Sequence, residues 1–301
     1  QIYWGNQTVT GTDPLRWDGQ LRAMADSGIR VARSFMSGGL GGADEPPVRH
    51  RDALVQLAAD HGVALFYSNV SWPSTDPSVV AERAQVGRGA AERYRHAPGW
   101  FIDIVNEPHM RIGEAESDHV AFRQYLRARY GTIDALREAW GESLHETSLD
   151  EVHVTPVTGT WSDRRAIDAH RFMSESMRRW TAVTRDAIRE ADPHRLVSVG
   201  HLQGFGGGDV ALDPIIASRD MDFTNRPYYG AMGDYAAELM EIDMRHLGKA
   251  PSTGEFGATS HPGLRAHFVY QPEAEASWRY VFTAHTCFGL GGAFVANWHW
   301  Q

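Results

Sequence analysis

The chain has 301 residues, 42% of them apolar and 22% charged, a balance that fits one large globular domain. Its formal charge of −9, from 29 basic and 38 acidic residues without a basic run, excludes nucleic acid as a partner, because no surface is set up to neutralise phosphates. A single cysteine, Cys287, excludes an internal disulfide and a multi-cysteine metal site, and no apolar run reaches the length of about 18 residues that a membrane span requires.

Apolar runs of strand length alternate with longer segments of helical period along the whole chain. The strand candidates are residues 2–4, 29–34, 63–69, 100–105, 196–199, 221–224, 252–255 and 293–297. Helical patterns fill residues 15–27, 48–61, 78–95, 119–130, 133–140, 166–191, 235–247 and 272–288. Asp76-Pro77 and Gln271-Pro272 read as helix starts, and Gly28, Gly62, Gly131 and Gly248 as helix stops. Alternation of this kind builds a parallel sheet with helical crossovers. Eight strands, with chemistry-bearing residues from both halves of the chain, favour closure into a (β/α)8 TIM barrel over an open sheet.

The barrel is expected to occupy residues 1–301 as a single catalytic domain, with a helical excursion at about 108–165 between strands four and five. The sequence stops at Gln301, just after strand eight, and leaves no residues for an eighth helix. It also opens directly on a strand without a leader-like segment, which reads as a processed or trimmed chain. Localisation is left open between cytoplasmic and secreted, and the oligomeric state is not legible.

In a barrel of this kind the residues that close a strand and open a loop converge on one rim. Glu107, in Asn106-Glu107-Pro108, ends strand four, and Glu255, in Gly254-Glu255-Phe256-Gly257, ends strand seven. Either glutamate alone reads as a helix cap or a surface ion-pair partner. Two at strand ends, facing across a barrel mouth, are the equipment for splitting a glycosidic bond: at ~5 to 5.5 Å one attacks while the other serves as acid and then base.

These residues resemble clan A of the glycoside hydrolases, retaining β-glycosidases on (β/α)8 barrels. The likeness rests on Asn-Glu-Pro after strand four, Gly-Glu-Phe-Gly after strand seven and a tryptophan after strand eight. It implies that Glu107 is the acid/base and Glu255 the nucleophile. It further implies that Arg33, in Val-Ala-Arg-Ser-Phe, holds the nucleophile ionised, that Asn106 reaches the sugar 2-hydroxyl, that Tyr228 orients the nucleophile and that Trp298 forms the platform under the sugar. Arg226 stands where many clan members carry a histidine, and the end of strand three offers Ser68-Asn69-Val70-Ser71-Trp72 where a clan histidine is often found. Trp72 and His201 are read as further substrate contacts on the rim.

Residues 122–140 with Gly141, and Ile167-Asp168 and Arg171-Phe172 in the next helix, are similar to family 42 β-galactosidases, without the four-cysteine metal site of some members. The reading is therefore a retaining hydrolase of β-galactosides or related β-linked oligosaccharides, with a carbohydrate as its partner. An endo-acting β-mannanase or β-glucanase of the same clan, and a carbohydrate-binding pseudoenzyme or inactive barrel fragment, stay open as alternatives. Two-carboxylate chemistry calls for no cofactor. The histidines His109, His201, His261 and His299 at presumed strand ends show no metal-ligand spacing. The glycine-rich stretches 37–42 and 204–208 lack both the lysine and the spacing of a phosphate cradle.

Overall fold

Eight parallel strands pair in sequence order, and the last returns to the first, so the sheet closes into a barrel. A computed structural model of the chain describes residues 2–4, 14–35, 46–68, 71, 73–108, 112–155, 163–201, 214–228, 240–256 and 272–297. The strands are β1 (Ile2–Trp4), β2 (Val31–Phe35), β3 (Ala64–Ser68), β4 (Trp100–Asn106), β5 (Val197–Gly200), β6 (Phe223–Tyr228), β7 (Ala250–Phe256) and β8 (Phe294–Asn297). Around them run α1 (Pro14–Asp26), α2 (Pro46–Asp60), α3 (Pro77–Arg93), α4 (Glu116–Tyr130), α5 (Ile133–Trp140), α6 (Arg164–Ala191), α7 (Pro214–Ser218) and α8 (Glu273–Gly289).

The helix starts follow from local chemistry. Asp76 accepts from the backbone N–H groups of Ser78 at 2.8 Å and Val79 at 3.5 Å, and Pro77 occupies the first helical position of α3, where a missing N–H costs nothing. Asp163 does the same for α6 through Arg165 at 2.9 Å. The 28-residue α6 buries Phe172, Met173, Met177, Trp180 and Ile188, spaced to fall on one face, and that face packs into the main core between helices and sheet.

The β4–β5 excursion carries α4, α5 and two short 3-10 turns, and one buried carboxylate fastens it to α6. Oδ2 of Asp168 accepts from the Tyr130 hydroxyl at 2.6 Å and from the Trp140 indole N–H at 2.8 Å. Both donors sit at helix ends, so the excursion is anchored where each of its helices stops.

Inside the barrel the side chains follow the two-residue period of a strand. Val31 on β2, Phe66 on β3, Phe101 on β4 and Phe223 on β6 pack together as an apolar floor, with the Phe66 and Phe101 rings 4.7 Å apart between centroids. Two residues further along the same strands stand Arg33, Ser68, Asp103 and Asn225, all fully buried. The polar layer thus lies one step nearer the carboxyl ends of the strands than the apolar one.

Three differences from the sequence pattern have physical causes. Strand β6 runs to Tyr228, further than its apolar core, because Arg226 and Pro227 continue extended past a register shift between Asn225 and Pro227. The helix expected to end at residue 247 finishes in a π-helical turn, Asp243–Leu247, while residues 231–239 lie outside the described set. Helix α7 was not anticipated; its five residues are too few to display a helical period.

Candidate active site

Arg33 is the centre of the polar layer. Its guanidinium lies with Cζ 5.0 Å from the centroid of the Phe66 ring, and every one of its nitrogens is committed. Nε donates to Ser68 Oγ at 3.0 Å; Nη1 donates to the Gly254 carbonyl at 3.1 Å and to Glu255 Oε1 at 3.0 Å; Nη2 donates to Asp103 Oδ2 at 2.5 Å and to Asn106 Oδ1 at 2.8 Å. One side chain on β2 therefore ties together the ends of β3, β4 and β7. A fully buried cation is tolerable only with such pairing, since a charge stripped of water without partners costs several kcal/mol (roughly 3–5 when one partner is removed).

Asp103 is the second anion on that cation. Its Oδ2 also accepts from Ser68 Oγ at 2.9 Å and from Asn225 Nδ2 at 3.3 Å. Burial pushes the Asp103 carboxyl up to about 6, against the opposing pull of the Arg33 charge and the Ser68 hydrogen bond. Gly200 makes the crowding possible: a Cβ there would stand 2.8 Å from Asp103 Oδ2, 2.9 Å from Asn106 Oδ1 and 3.0 Å from Arg33 Nη2. Any other residue at the end of β5 would drive a methyl group into the layer.

Glu107 lies one residue beyond β4. The pairing of β4 with β5 shifts register between Asp103 and Asn106, and the Glu107 N–H donates to the Gly200 carbonyl at 2.6 Å. Its φ is 47°, the only positive value among the described non-glycine residues. A left-handed conformation is doubly costly here, for a side chain with a Cβ and for a residue that precedes proline. Strain of this kind persists where the surroundings over-determine it, and it re-aims the side chain that bears it. The irregular pairings next to the glutamates, this one, the β6–β7 shift between Asn225 and Pro227 and the β7–β8 shift between Thr253 and Phe256, fall at the carboxyl end of the barrel.

Of the residues singled out in the sequence, Arg33, Asn106 and Glu255 come together directly, and Glu107 adjoins them through the backbone of Asn106. Tyr228 ends β6 in register with Phe256, one residue past Glu255. Trp72 and Trp298 lie outside the described residues, as do His109, His261, His299 and the glycine stretches 37–42 and 204–208.

His201 and Arg226 go elsewhere. His201 is buried on the helix side of the sheet, with Nε2 at 2.8 Å from Ser218 Oγ on α7, so it is not a rim contact; burial first, and the Arg226 charge second, bring its pKa down to about 3. Arg226 is likewise buried and makes a two-pronged pair with Asp243, at 2.7 and 2.5 Å. It does not replace a histidine in the mouth. The sequence reading missed Asp103, Ser68 and Asn225. A lone charge in the apolar run Trp-Phe-Ile-Asp-Ile-Val was the available signal for Asp103; Ser68 and Asn225 show only as partners of Arg33 and Asp103.

Among the described residues no group of three or more histidine, cysteine or carboxylate side chains could hold a metal ion. No helix among them is long and apolar enough to cross a membrane.

A closed (β/α)8 barrel with a buried arginine–carboxylate layer at the carboxyl ends of its strands has the architecture of the barrel enzymes. The chain belongs to the family 42 glycoside hydrolases of clan A, the β-galactosidase family, whose family model matches residues 58–247. It is similar to a β-galactosidase of Halorubrum lacusprofundi, 27% identical over 250 residues that make up 68% of this chain and 35% of that protein. It is also similar to a β-galactosidase of Geobacillus kaustophilus, 28% identical over 154 residues, or 48% of this chain and 23% of the relative. The solved structure of the Halorubrum lacusprofundi β-galactosidase superimposes with a TM-score of 0.73 at 21% identity, covering 100% of this chain and 52% of that one. The catalytic domain of a β-amylase from Paenibacillus polymyxa matches with a TM-score of 0.70 at 10% identity, covering 98% and 91%, a likeness of fold alone. The chain thus spans about half the length of the solved β-galactosidase and a smaller share of the curated relatives.

Proposed function

We propose that this chain is the catalytic barrel of a retaining β-galactosidase. Glu255 attacks the anomeric carbon while Glu107 donates a proton to the departing oxygen. The ionised Glu107 then takes a proton from water, and that water releases the galactose with its configuration retained. The observation that carries the reading is the 3.0 Å contact between Arg33 Nη1 and Glu255 Oε1. A guanidinium with no exposure to solvent favours the anionic form of that carboxylate, the form that attacks. Asn106, on the other arm of the same guanidinium, is set to meet the 2-hydroxyl of the sugar.

The test is a panel of aryl β-galactoside, glucoside, mannoside and xyloside, with the first-formed anomer followed by proton NMR. The expected result is preference for the galactoside, release of the β anomer, and a loss of about 10⁴-fold in turnover for Glu255→Ala and for Glu107→Ala on a substrate with a poor leaving group. Release of the α anomer, or full turnover by Glu255→Ala, overturns the mechanism. Binding of galactosides without hydrolysis by the unmodified chain would make it a carbohydrate-binding barrel instead.

A further inference from the structure

Glu255 is not alone on Arg33. The guanidinium carries one positive charge and faces two carboxylates, Glu255 on Nη1 at 3.0 Å and Asp103 on Nη2 at 2.5 Å, both at most a few per cent exposed. The hydrogen-bond directions around Asp103 are fixed by chemistry. Ser68 Oγ accepts the Nε–H of Arg33, a group that can only donate, so its own proton is the one directed to Asp103 Oδ2. Asn225 contributes an amide N–H to the same oxygen. Three donors on one oxygen call for a carboxylate that is ionised, not a carboxylic acid.

We propose that Asp103 is a positioning residue for the reaction: it draws part of the Arg33 charge to itself, limits how strongly the guanidinium stabilises the Glu255 carboxylate, and so keeps Glu255 basic enough to attack. This rests on Glu255 being the nucleophile. The logic is electrostatic. An arginine given wholly to Glu255 would lower its pKa and with it its nucleophilicity, whereas a second buried anion on the same cation restores both. Among the described residues the charged groups of the layer are Arg33 from β2, Asp103 from β4 and Glu255 from β7; β3, β5 and β6 bring the uncharged Ser68, Gly200 and Asn225, and Glu107 is a further titratable group just beyond the end of β4.

The experiment compares the unmodified chain with Asp103→Asn, an isosteric change that leaves an acceptor for Arg33 and Ser68 but removes the charge. Carboxyl ¹³C resonances of glutamate are followed against pH, with Glu255 assigned by its loss in Glu255→Gln. The Glu255 carboxyl should titrate lower by about half a pH unit or more in Asp103→Asn. The acid limb of kcat/KM should move the same way, and kcat should fall several-fold with KM little changed. A merely structural role for Asp103 would lower the folded fraction without moving a titration. A Glu255 titration that stays in place or rises overturns the proposal. With Asp103 unchanged, the assigned Glu255 resonance should carry a second inflection where Asp103 takes up its proton; independent titration of the two overturns the proposal without the Asp103→Asn variant having to fold. Because the NMR titration requires no turnover, an unmodified chain inactive on every β-glycoside would count against the proposed function and leave the shared-charge result readable by itself.

Discussion

A Cβ placed on Gly254 would stand 1.7 Å from Oδ1 of Asn225, on the neighbouring strand. The absence of a side chain at Gly254 is what lets Asn225 reach across to Asp103, and it does so one residue before Glu255. The Gly254 carbonyl is itself on Arg33, so the same residue serves the layer from both sides.

Gly254→Ala should therefore destabilise the chain by overpacking, at about 1–3 kcal/mol, and lower turnover of an aryl β-galactoside at least tenfold as Asn225 is forced off Asp103. Adding Asn225→Ala makes room for the methyl group and should recover part of the stability but not the activity, a coupling expected of residues in contact. Urea unfolding of the two single variants and the double variant measures it; additive losses would mean the two residues are not in contact.

The left-handed backbone at Glu107 separates stability from function. Glu107→Ala and Glu107→Gly both remove the side chain and should abolish hydrolysis of unactivated substrates alike. Glycine alone adopts a φ of 47° without a steric cost, so Glu107→Gly should be more stable than Glu107→Ala by about 1 kcal/mol, even though glycine loses more entropy on folding. Thermal unfolding of the pair decides it, and an alanine variant as stable as the glycine one would show the backbone to be relaxed.

Much of this site was legible in the sequence because parallel strands buried on both faces read as apolar runs, and a glutamate immediately after such a run has few places to go except the rim. Glu107 just after β4 and Glu255 in β7 were placed that way, while the resemblance to clan A singled out Arg33 in β2 and Asn106 at the end of β4. Arg226 was not, because in an alternating strand the next residue faces the opposite side, and its partner Asp243 lies in a π-helical turn that no sequence period marks. His201 fails for the same reason: adjacent to Gly200, which touches the polar layer, it necessarily points the other way, to α7. Face, rather than position along the strand, was the missing information.

Arg33→Lys tests whether geometry or charge holds the layer. An ammonium keeps the positive charge but cannot reach Ser68, Glu255, Asp103, Asn106 and the Gly254 carbonyl at once. We expect kcat/KM for an aryl β-galactoside to fall by about 10²-fold or more and the chain to lose about 2–4 kcal/mol, since buried carboxylates are left partly unpaired. Steady-state kinetics beside chemical denaturation reads both; a lysine variant with native kcat/KM would show that charge alone suffices.

His201 gives the fold a predictable acid sensitivity. The buried imidazole holds a pKa of about 3 in the folded chain, against about 6.5 when unfolded. As pH falls below 6.5 the unfolded chain takes up a proton that the folded chain refuses, so the stability associated with neutral His201 is fully present above that pH and is lost progressively toward 3. One proton corresponds to about 1.4 kcal/mol per pH unit, or about 2 kcal/mol between pH 6.5 and 5. His201→Gln can retain a hydrogen bond to Ser218 but has nothing to titrate. Its stability should sit at or below that of the unmodified chain at pH 8, and the difference should shrink or reverse by pH 5. Denaturant midpoints at both pH values check it, and parallel losses in the two proteins would show that His201 takes up its proton in the folded chain after all.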